Sequence, residues 1–501
     1  MKIPIVSILF ILLFDISVLA QFNNIYLTEN GSLGGAISIS ENINTGQYYL
    51  PVLYGNSELE NQNWGFLSVS QSGNFNSLHE FGIMPPEGVY ASSRAFFRTQ
   101  NNDFIYAAGI NGPFLLRLNS DFETIWSVVD NSGSPNNYSG GVELSNGDLV
   151  LSLFETGTPF NILKMRRYSS DGDFQSSFNV TLDYDYSYPS SIIAQDSLIY
   201  ISFPRYLSNN FRRNYVACYN AITGEEIWES HLIENGEALG YTDGFLCMGT
   251  EGILKLVYVE QNELAWPSEF ISGYEGKVRV LDINTSTGEF LTQYSLSEQL
   301  NSIYIVDVSR TDDGGMALLL YAPYLNQQYP YSYAIMKVSE AMEVEWRVNY
   351  EAPTYETNNT DISSLSRIIA TSDNCLAAVG SASGTTKSDN IFYQYPWVLK
   401  VDACGNEMVT DCALSGVGDL ASNNTIAIYP NPARDRIYLK GKDPIKHVSI
   451  FDLQGKMVHD ESFSGSLEQT LFIDHLPPGL YLVQATNQTG AISTNKISVK
   501  R

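Results

Sequence analysis

The stretch SNGDLVLSLFETGTPFNILKMRRYSSDGDFQSSF, residues 145–178, contains one full period of the repeat that decides the fold. A polar Asn-Gly-Asp turn precedes an apolar strand. A second apolar strand, another glycine-containing turn and a short strand ending at Phe178 follow. Asn, Asp and Gly tolerate the turn conformations that hairpins require, and the residues after them are strand formers. The stretch therefore predicts two consecutive hairpin-like units.

The same two units recur along the body of the chain. Turn-plus-strand units open seven periods, at residues 44–55, 100–109, 145–153, 194–202, 241–249, 311–320 and 371–380. The second units follow at residues 66–81, 115–126, 163–178, 216–228, 278–294, 334–346 and 397–412. Four short strands in each period of roughly fifty to seventy residues are typical of a β-propeller with four-stranded blades.

The sequence therefore predicts an all-β fold whose body is a seven-bladed β-propeller. Six or eight blades are the alternatives, because the first period is blurred. A tandem of β-sandwiches is disfavoured by the regularity of the repeat and by its two units per period. Trp126, Trp228 and Trp346 occupy matching places in the second units, and we expect them to pack between neighbouring blades rather than to bind a ligand.

Acidic residues are concentrated in the body. Residues 425–501 hold 9 Lys and Arg against 7 Asp and Glu, whereas residues 21–424 hold 18 against 47. Nucleic acids and anionic lipid surfaces are bound through clustered Lys and Arg, so the charge argues against both as partners. Acidity of this kind keeps an extracellular protein soluble. Calcium binding by surface carboxylates and capture of a cationic partner are the alternatives.

The first twenty residues have the pattern of a secretory signal peptide. Lys2 precedes the unbroken apolar run IPIVSILFILLF, and Val18 and Ala20 supply small residues before a cleavage site between Ala20 and Gln21. The run is too short for a membrane span, and no later segment is long and apolar enough for one. We therefore expect the mature protein to be exported and to have no transmembrane span.

The five cysteines do not form the pattern of a disulfide-rich scaffold. Cys375, Cys404 and Cys412 lie close in sequence, so one disulfide among them is expected without its pairing being fixed. Cys218 and Cys247 lie in apolar strands and are expected to be buried small hydrophobic residues. No CxxC spacing indicates zinc.

The sequence identifies no catalytic, cofactor-binding or metal-binding residue in the body. Its two histidines, His79 and His231, belong to no HExxH motif, and neither GxSxG nor a nucleotide-binding glycine loop occurs. Acidic residues are too numerous for a catalytic pair to be selected. The segments 183–189 and 311–315 concentrate oxygen ligands but lack the order of a calcium loop, so calcium remains an unsupported alternative.

A separate unit is expected at the C-terminus. Residues 413–424 are rich in Gly, Ser and Asn and are interpreted as a linker between a body of residues 21–412 and a terminal unit of residues 425–501. Alternating apolar strands with Pro and Gly turns over this terminal length predict a small antiparallel β-sandwich.

Four motifs of the terminal unit resemble the type A C-terminal sorting domain of the type IX (Por) secretion system of Bacteroidota. They are Tyr429-Pro430-Asn431-Pro432, the turn containing Asp452 and Gly455, the strand containing Gly479 and Tyr481, and the closing Lys496-Ile497-Ser498-Val499. The resemblance implies that the sandwich is Ig-like, that the protein passes through the type IX translocon and that a sortase-like peptidase removes the domain. It also implies release or attachment to a surface lipopolysaccharide on the outside of a Gram-negative cell.

A second, local resemblance concerns one blade. Thr223, Gly224 and Trp228 in YNAITGEEIW are similar to the Thr-Gly-x-x-x-Trp repeat of pyrroloquinoline-quinone-dependent enzymes and their cofactor-free relatives. The other blades match it partly or not at all. The resemblance implies that the tryptophan locks adjacent blades.

The leading functional expectation is a secreted or cell-surface protein whose propeller binds a glycan or a protein and is not an enzyme. The alternatives are a propeller-type polysaccharide hydrolase or lyase and, less favoured, a quinoprotein-like oxidoreductase. Convergent Asp, Glu, Tyr, Arg or His side chains at one mouth of the propeller axis would favour an enzyme. The sequence does not identify the ligand.

Overall fold

The computed structural model describes most strands of the body and of the terminal unit. The described residues are 22–26, 32–55, 63–83, 92–109, 113–129, 137–155, 162–181, 190–206, 212–231, 240–241, 243–250, 252–261, 275–296, 300–301, 304–326, 329–352, 362–385, 392–406, 426–429, 433–451, 456–488 and 492–500. In these ranges every regular element is a β-strand, and no helix has the length and hydrophobicity to cross a bilayer. The chain divides into two compact units, Met1–Thr410 and Asp411–Arg501.

The described part of the first unit forms seven antiparallel sheets, here numbered in chain order. Sheet 1 contains β2 (Ser32–Leu33), β3 (Ser40–Asn42), β4 (Gln47–Gly55), β5 (Asn63–Val69) and β6 (Phe75–Ile83). Sheet 2 contains β7 (Phe96–Arg98), β8 (Phe104–Gly109), β9 (Pro113–Leu118) and β10 (Thr124–Val129). Sheet 3 contains β11 (Asn137–Glu143), β12 (Leu149–Glu155), β13 (Ile162–Tyr168) and β14 (Phe174–Thr181).

Sheets 4 to 6 follow the same order. Sheet 4 contains β15 (Ser191–Gln195), β16 (Leu198–Tyr206), β17 (Arg212–Asn220) and β18 (Glu226–His231). Sheet 5 contains β19 (Gly240–Tyr241), β20 (Phe245–Met248), β21 (Ile253–Gln261), β22 (Glu275–Asn284), β23 (Phe290–Ser295) and β24 (Leu300–Asn301). Sheet 6 contains β25 (Tyr304–Arg310), β26 (Met316–Asn326), β27 (Tyr329–Val338) and β28 (Val344–Tyr350).

Sheet 7 joins the two ends of the body. It contains β29 (Ile362–Ala370), β30 (Leu376–Thr385) and β31 (Phe392–Val401), and its fourth strand is β1 (Phe22–Ile25) from the beginning of the described chain. Phe22 pairs with Lys400 and Ile25 with Trp397. Because the first strand completes the last sheet, separating either end of the body would break a ladder of backbone hydrogen bonds.

Hydrophobic clusters join the sheets in a closed cycle. Each of the seven clusters of buried side chains in the body combines residues from two successive sheets, and one cluster joins sheet 7 to sheet 1. The sheets therefore pack face to face around a ring. The body has a propeller-like, all-β architecture, as the repeat predicts.

An aromatic side chain on the last strand of a sheet packs against a left-handed glycine of the next sheet. Trp228 of sheet 4 lies against Gly288 of sheet 5, and its Nε1 donates a hydrogen bond of 2.9 Å to the Thr285 carbonyl oxygen. Trp126 and Trp346 make the corresponding hydrogen bonds, of 3.0 Å and 2.7 Å, to the next sheet. The predicted packing of the three tryptophans between sheets is confirmed.

Replacing Gly288 by alanine is expected to destabilise the body. Its φ of +72° is unfavourable for alanine, and a Cβ there would lie 2.5 Å from Cε3 of Trp228. Gly252 is the matched control, since it has φ of +78° but nothing within 4 Å of a Cβ. We expect Gly288→Ala to lower the free energy of unfolding by about 1–3 kcal/mol more than Gly252→Ala. Equal losses in denaturant titrations would contradict the tryptophan contact.

An ion pair recurs between the second and third strands of several sheets. An aspartate in the turn before the second strand binds a Lys or Arg of the third strand: Asp103 with Arg117, Asp148 with Arg167, Asp313 with Lys337 and Asp373 with Lys400. The Lys400 side chain is fully buried. Burial opposes ionisation of Asp373, but hydrogen bonds from Lys400 and Thr371 outweigh it and lower the pKa of this carboxyl group. These pairs hold the hairpins of the repeat together.

The two edges of the ring differ. In sheets 1 to 6, tight turns join the inner strand to the second and the third to the outermost. At Gly147 the N–H donates to the Leu144 carbonyl oxygen, and at Gly172 it donates to the Ser169 carbonyl oxygen. Because neighbouring strands of an antiparallel sheet run in opposite directions, these turns lie at the same end of the strands, and this side of the ring is here called the turn edge. The remaining connections leave from the opposite edge, here called the connection edge.

The second unit is a five-stranded antiparallel arrangement. Its strands are β32 (Ile426–Tyr429), β33 (Arg436–Phe451), β34 (Met457–Phe472), β35 (Gly479–Asn487) and β36 (Ile492–Val499). β33 pairs with β32, β34 and β35, and its register shifts between Lys440 and Ile445. A buried cluster that includes Ile437, Val448 and Val483 gives this unit a core of its own.

The cysteines agree with the sequence analysis where they are described. Cys218 and Cys247 are buried in strands, and burial raises the pKa of their thiols to about 12 and about 11. Cys404 is disulfide-bonded, whereas Cys375 is a buried thiol. The disulfide therefore leaves Cys375 out. Cys412 lies outside the described residues.

Candidate functional site

The inner strands of the sheets meet at the axis of the ring. These strands are β3, β7, β11, β15, β20, β25 and β29, and successive members contact one another. Ser366 Oγ of sheet 7 donates a hydrogen bond of 3.0 Å to the Ile37 carbonyl oxygen before β3, which closes the circle. Side chains that leave these strands at the axis are therefore brought together from distant parts of the sequence.

Three charged side chains meet there. Arg94 Nη2 lies 3.0 Å from Asp307 Oδ1, and Arg367 Nη1 lies 3.3 Å from the same oxygen. The backbone N–H of Ile368 donates a hydrogen bond of 3.0 Å to Asp307 Oδ2. The ring centroid of Phe245 is 4.5 Å from Cζ of Arg94, a cation–π contact. We call Arg94, Phe245, Asp307 and Arg367 the axial cluster.

The axial cluster spans the ring. Arg94 precedes β7 of sheet 2, whereas Asp307 lies on β25 of sheet 6, so their ion pair joins two sheets that are not neighbours. Asp307 and Arg367 both follow a register shift in their inner strands. Such bulges re-aim side chains and are common next to functional sites. The bulges therefore explain why charged residues can leave these otherwise apolar strands.

The charged members of the axial cluster are two cations, Arg94 and Arg367, around one anion, Asp307. Asp307 is 3% exposed, while the side chains of Arg94 and Arg367 are 14% and 23% exposed. Burial lowers the pKa of Arg94, Asp307 opposes this shift, and the neighbouring charge of Arg367 adds to it. Both oxygens of Asp307 are occupied by donors, so this carboxylate serves as a counter-ion and not as a free general base.

One donor of the axial cluster is buried without a hydrogen-bond partner among the described residues. It is Nε of Arg367. Unsatisfied buried donors are uncommon in proteins. The arginine pair therefore has hydrogen-bonding capacity that Asp307 does not satisfy.

Tyrosines lie towards the connection edge, at the beginning of β25. Tyr304 is 39% exposed and lies three residues before Asp307 on the same strand. Its ring centroid is 6.2 Å from that of Tyr321, and Tyr321 is 5.2 Å from Tyr333. Because of the bulge, Tyr304 and Asp307 lie opposite residues only two apart, Tyr321 and Leu319, so the aromatic surface adjoins the axial cluster at about 7 Å along the strand.

Neither histidine of the body belongs to the axial cluster. His79 lies on the last strand of sheet 1, where burial lowers its pKa and its ring packs against Tyr49 and Phe122. His231 ends the last strand of sheet 4 and contacts Tyr215. Both histidines are packing residues. Within the described ranges, no group of three or more His, Cys, Asp or Glu side chains is placed to hold a metal ion.

The sorting motif is described only in part. Tyr429 ends β32 and pairs with Tyr438, Gly479 begins β35, and Lys496 of β36 pairs with Leu482. Tyr481 is buried, and its hydroxyl donates a hydrogen bond of 2.8 Å to the Pro477 carbonyl oxygen. The motif residues outside the described ranges are Pro430, Asn431, Pro432, Asp452 and Gly455. The predicted cleavage site at Ala20 and Gln21 also lies outside them, and its cleavage stays a prediction.

Sequence reasoning did not find the axial cluster. Arg94, Asp307 and Arg367 are far apart along the chain, and no spacing rule connects them. The signal that could have been used is local. Asp307 interrupts the apolar strand YIVDVSR, and Arg367 interrupts the strand before Ile368 and Ile369.

Comparison with known proteins gives one family match. Residues 427–500 match the family described as secretion system C-terminal sorting domain. No curated protein sequence matches the chain.

Several solved structures resemble the body at the level of the fold. A polysaccharide lyase of family PL25, an ulvan lyase bound to a saccharide, is 12% identical, with 77% of this chain and 98% of that chain covered and a TM-score of 0.47. A subtype N11 neuraminidase-like protein of the strain A/flat-faced bat/Peru is 10% identical, with coverages of 78% and 96% and a TM-score of 0.37. A protein of unknown function from Bacteroides caccae is 9% identical, with coverages of 57% and 90% and a TM-score of 0.38. At these values the likeness extends to general architecture and not to a ligand or an activity.

The two units together define the class of the protein: a propeller-like, all-β body followed by a small β-unit that directs secretion. More particularly, the chain is a type IX sorting-domain protein of Bacteroidota. It is secreted or attached to the outer surface of the cell, and its tail interacts with the type IX machinery.

Proposed function

We propose that the body is a seven-bladed β-propeller that binds an extracellular glycan or protein and does not transform it. Seven described sheets, joined in a cycle by seven clusters, support the blade number. We further propose that the tail is an Ig-like β-sandwich that a sortase-like peptidase removes after export. The large register shift within β33 supports a strand that passes from one layer of a sandwich to the other.

One observation carries the preference for binding. The only carboxylate in direct contact with the described axial arginines has both oxygens engaged by Arg94, Arg367 and the Ile368 N–H. A general acid or base needs a proton-accepting atom that is free to reach the substrate. The axis therefore offers donors and an aromatic surface, which suit recognition, more readily than an acid–base pair.

A propeller-type polysaccharide lyase is the second candidate. The two arginines could neutralise a substrate carboxylate while the exposed Tyr304 accepts a proton, and this combination favours a lyase over a hydrolase. In a lyase, the Tyr304 phenolate would remove the proton next to the carboxylate, and the arginines would stabilise the charge that develops there. The electron pair would then form a C=C bond as the C–O bond to the glycosidic oxygen breaks, and that oxygen would leave with a proton from the tyrosine hydroxyl or from water. The quinoprotein hypothesis gains no such support.

A binding screen tests the proposal. Purified full-length protein is offered to immobilised polysaccharides and to extracellular matrix proteins, and bound protein is quantified at several salt concentrations. We expect retention on at least one polysaccharide or protein, and loss of this retention in Tyr304→Ala. Retention on none of them, or retention that Tyr304→Ala leaves unchanged for every ligand, would contradict binding at the axis.

A further inference from the structure

The hydrogen bonds of the axial arginines leave much of their donor capacity unused. A guanidinium group has five N–H donors in a planar fork. Within the described part of the chain, the side-chain hydrogen bonds of Arg94 and Arg367 go to Asp307 alone. Nε of Arg367 is buried and has no partner there. The two guanidinium groups therefore keep N–H donors that Asp307 does not use.

The charge of the cluster is under-compensated. Two guanidinium groups share Asp307, and a further anion that acts on Arg94 is the exposed Asp243. Phe245 covers one face of Arg94 at 4.5 Å and keeps that face from hydration. Burial is the main cause that lowers the pKa of Arg94, and the neighbouring charge of Arg367 adds to it. A second anion beside the arginines would compensate the excess positive charge.

The neighbouring aromatic surface indicates what carries that anion. Tyr304 exposes more than a third of its surface, and its ring centroid lies 6.2 Å from that of Tyr321. A tyrosine ring with an apolar face and a polar hydroxyl suits a flat, partly polar ligand. The separation of about 7 Å from Asp307 along the strand is of the size of one sugar ring.

We propose that Arg94 and Arg367 bind the carboxylate of an acidic sugar whose ring, or whose neighbouring sugar, packs on Tyr304. This inference rests on the proposed function and gives its ligand class, a saccharide with a carboxylate-bearing residue. Paired guanidinium forks match the geometry of a carboxylate and can hold it bidentately.

The acidity of the body limits the ligand further. Residues 21–424 hold 47 acidic against 18 basic residues, so an extended polyanion would be repelled by most of the surface. A largely neutral saccharide that carries a single or terminal acidic sugar avoids this repulsion. The preferred ligand is therefore a sparsely charged saccharide and not a polyuronate.

The proposal is tested by comparing sugars that differ only in charge. D-glucuronate and D-galacturonate are each titrated into full-length protein beside their methyl esters, with calorimetric or NMR detection. We expect each acid to bind about 10- to 100-fold more tightly than its ester, because a hydrogen bond to a charged group contributes about 1.5–3 kcal/mol. Equal binding of acid and ester by the unaltered protein would overturn the proposal without any variant being needed.

Two substitutions assign the preference to the axis. Arg367→Gln is expected to remove the preference for the acid, and Arg367→Lys to reduce it about tenfold, since lysine keeps the charge but not the fork. Arg98→Gln is the matched control. Arg98 ends β7, the strand that Arg94 precedes, but its side chain is exposed at the turn edge. A preference that survives Arg367→Gln in folded protein would overturn the assignment.

The remaining outcomes separate this inference from the proposed function. Tyr304→Ala should weaken acid and ester equally and leave their ratio unchanged. If N-acetylglutamate competes as strongly as glucuronate, the ligand is an acidic peptide and the sugar class is wrong. If neutral polysaccharides bind in the screen while acid and ester are equivalent, the proposed function stands and this inference fails.

Discussion

Deletion of residues 426–501 is expected to abolish export of the protein to the medium or the outer surface. The deleted residues include the whole sorting domain, which spans residues 427–500, and they form a unit with its own buried core. The body has separate clusters, so it should still fold after the deletion. The amounts of secreted and surface-bound protein are measured by immunoblotting in the producing bacterium. We expect each amount to fall roughly tenfold or more.

Two substitutions of Tyr481 test whether export requires a folded tail. Tyr481 is buried and its hydroxyl bonds to Pro477. Tyr481→Ala removes a large core side chain and is expected to destabilise the tail by about 3–5 kcal/mol and to reduce export. Tyr481→Phe removes only the hydroxyl and should export nearly normally. Unchanged export of the protein lacking residues 426–501 would show that another segment directs secretion.

Asp307→Asn is expected to cause a large loss of stability in the body. The substitution keeps the shape of the side chain but removes the counter-ion of Arg94 and Arg367 at a site that is 3% exposed. Removing one partner of a buried ionic group typically costs about 3–5 kcal/mol, because the remaining charges stay buried without compensation. Asp307 of sheet 6 contacts Arg94 of sheet 2 and Arg367 of sheet 7, so the substitution weakens contacts between three sheets of the ring.

The loss is measured by denaturant unfolding followed through tryptophan fluorescence. All six tryptophans of the chain lie in the body, so this signal reports the body and not the tail. Asp313→Asn is the control: it removes the same charge in sheet 6, but the Asp313 side chain is 55% exposed and its partner Lys337 keeps a second carboxylate, Glu345, at 3.3 Å. We therefore expect a smaller loss than for Asp307→Asn.

A double substitution tests the electrostatic explanation. Replacing Asp307 and Arg367 together, by Asn and Gln, should recover part of the stability lost in Asp307→Asn, because one uncompensated charge is removed. Losses that are equal in Asp307→Asn and Asp313→Asn, or strictly additive in the double variant, would show that the axial ion pairs do not stabilise the ring.

The repeat made the general fold predictable. Hairpin turns are set by local residues such as Asn146 and Gly147, and strand alternation is also local, so one period read from the sequence defines a four-stranded sheet. The tryptophan contacts were predictable for the same reason, since each sheet repeats the position. The sorting domain was identified because several motifs occur in a fixed order over a short length.

Features that depend on closure of the ring were not predictable. The pairing of β1 with β31 joins residues 22–25 to residues 397–400, and no periodic pattern marks a single strand at the start of the chain. The axial cluster combines residues from three sheets, of which two are not neighbours. Its members could be recognised only as charged interruptions of apolar strands, a signal that buried structural ion pairs such as Lys400–Asp373 also give.

The central claim is that the body binds its ligand outside the cell and leaves it intact. Each ligand found in the screen is incubated with concentrated full-length protein, while binding is followed by calorimetry and cleavage by new reducing ends and by the ultraviolet absorbance of unsaturated sugars. We predict a saturable binding signal with no product, and the same result for Asp307→Asn where it is folded. Product that accumulates with time and disappears in Tyr304→Phe would contradict the claim and identify a lyase.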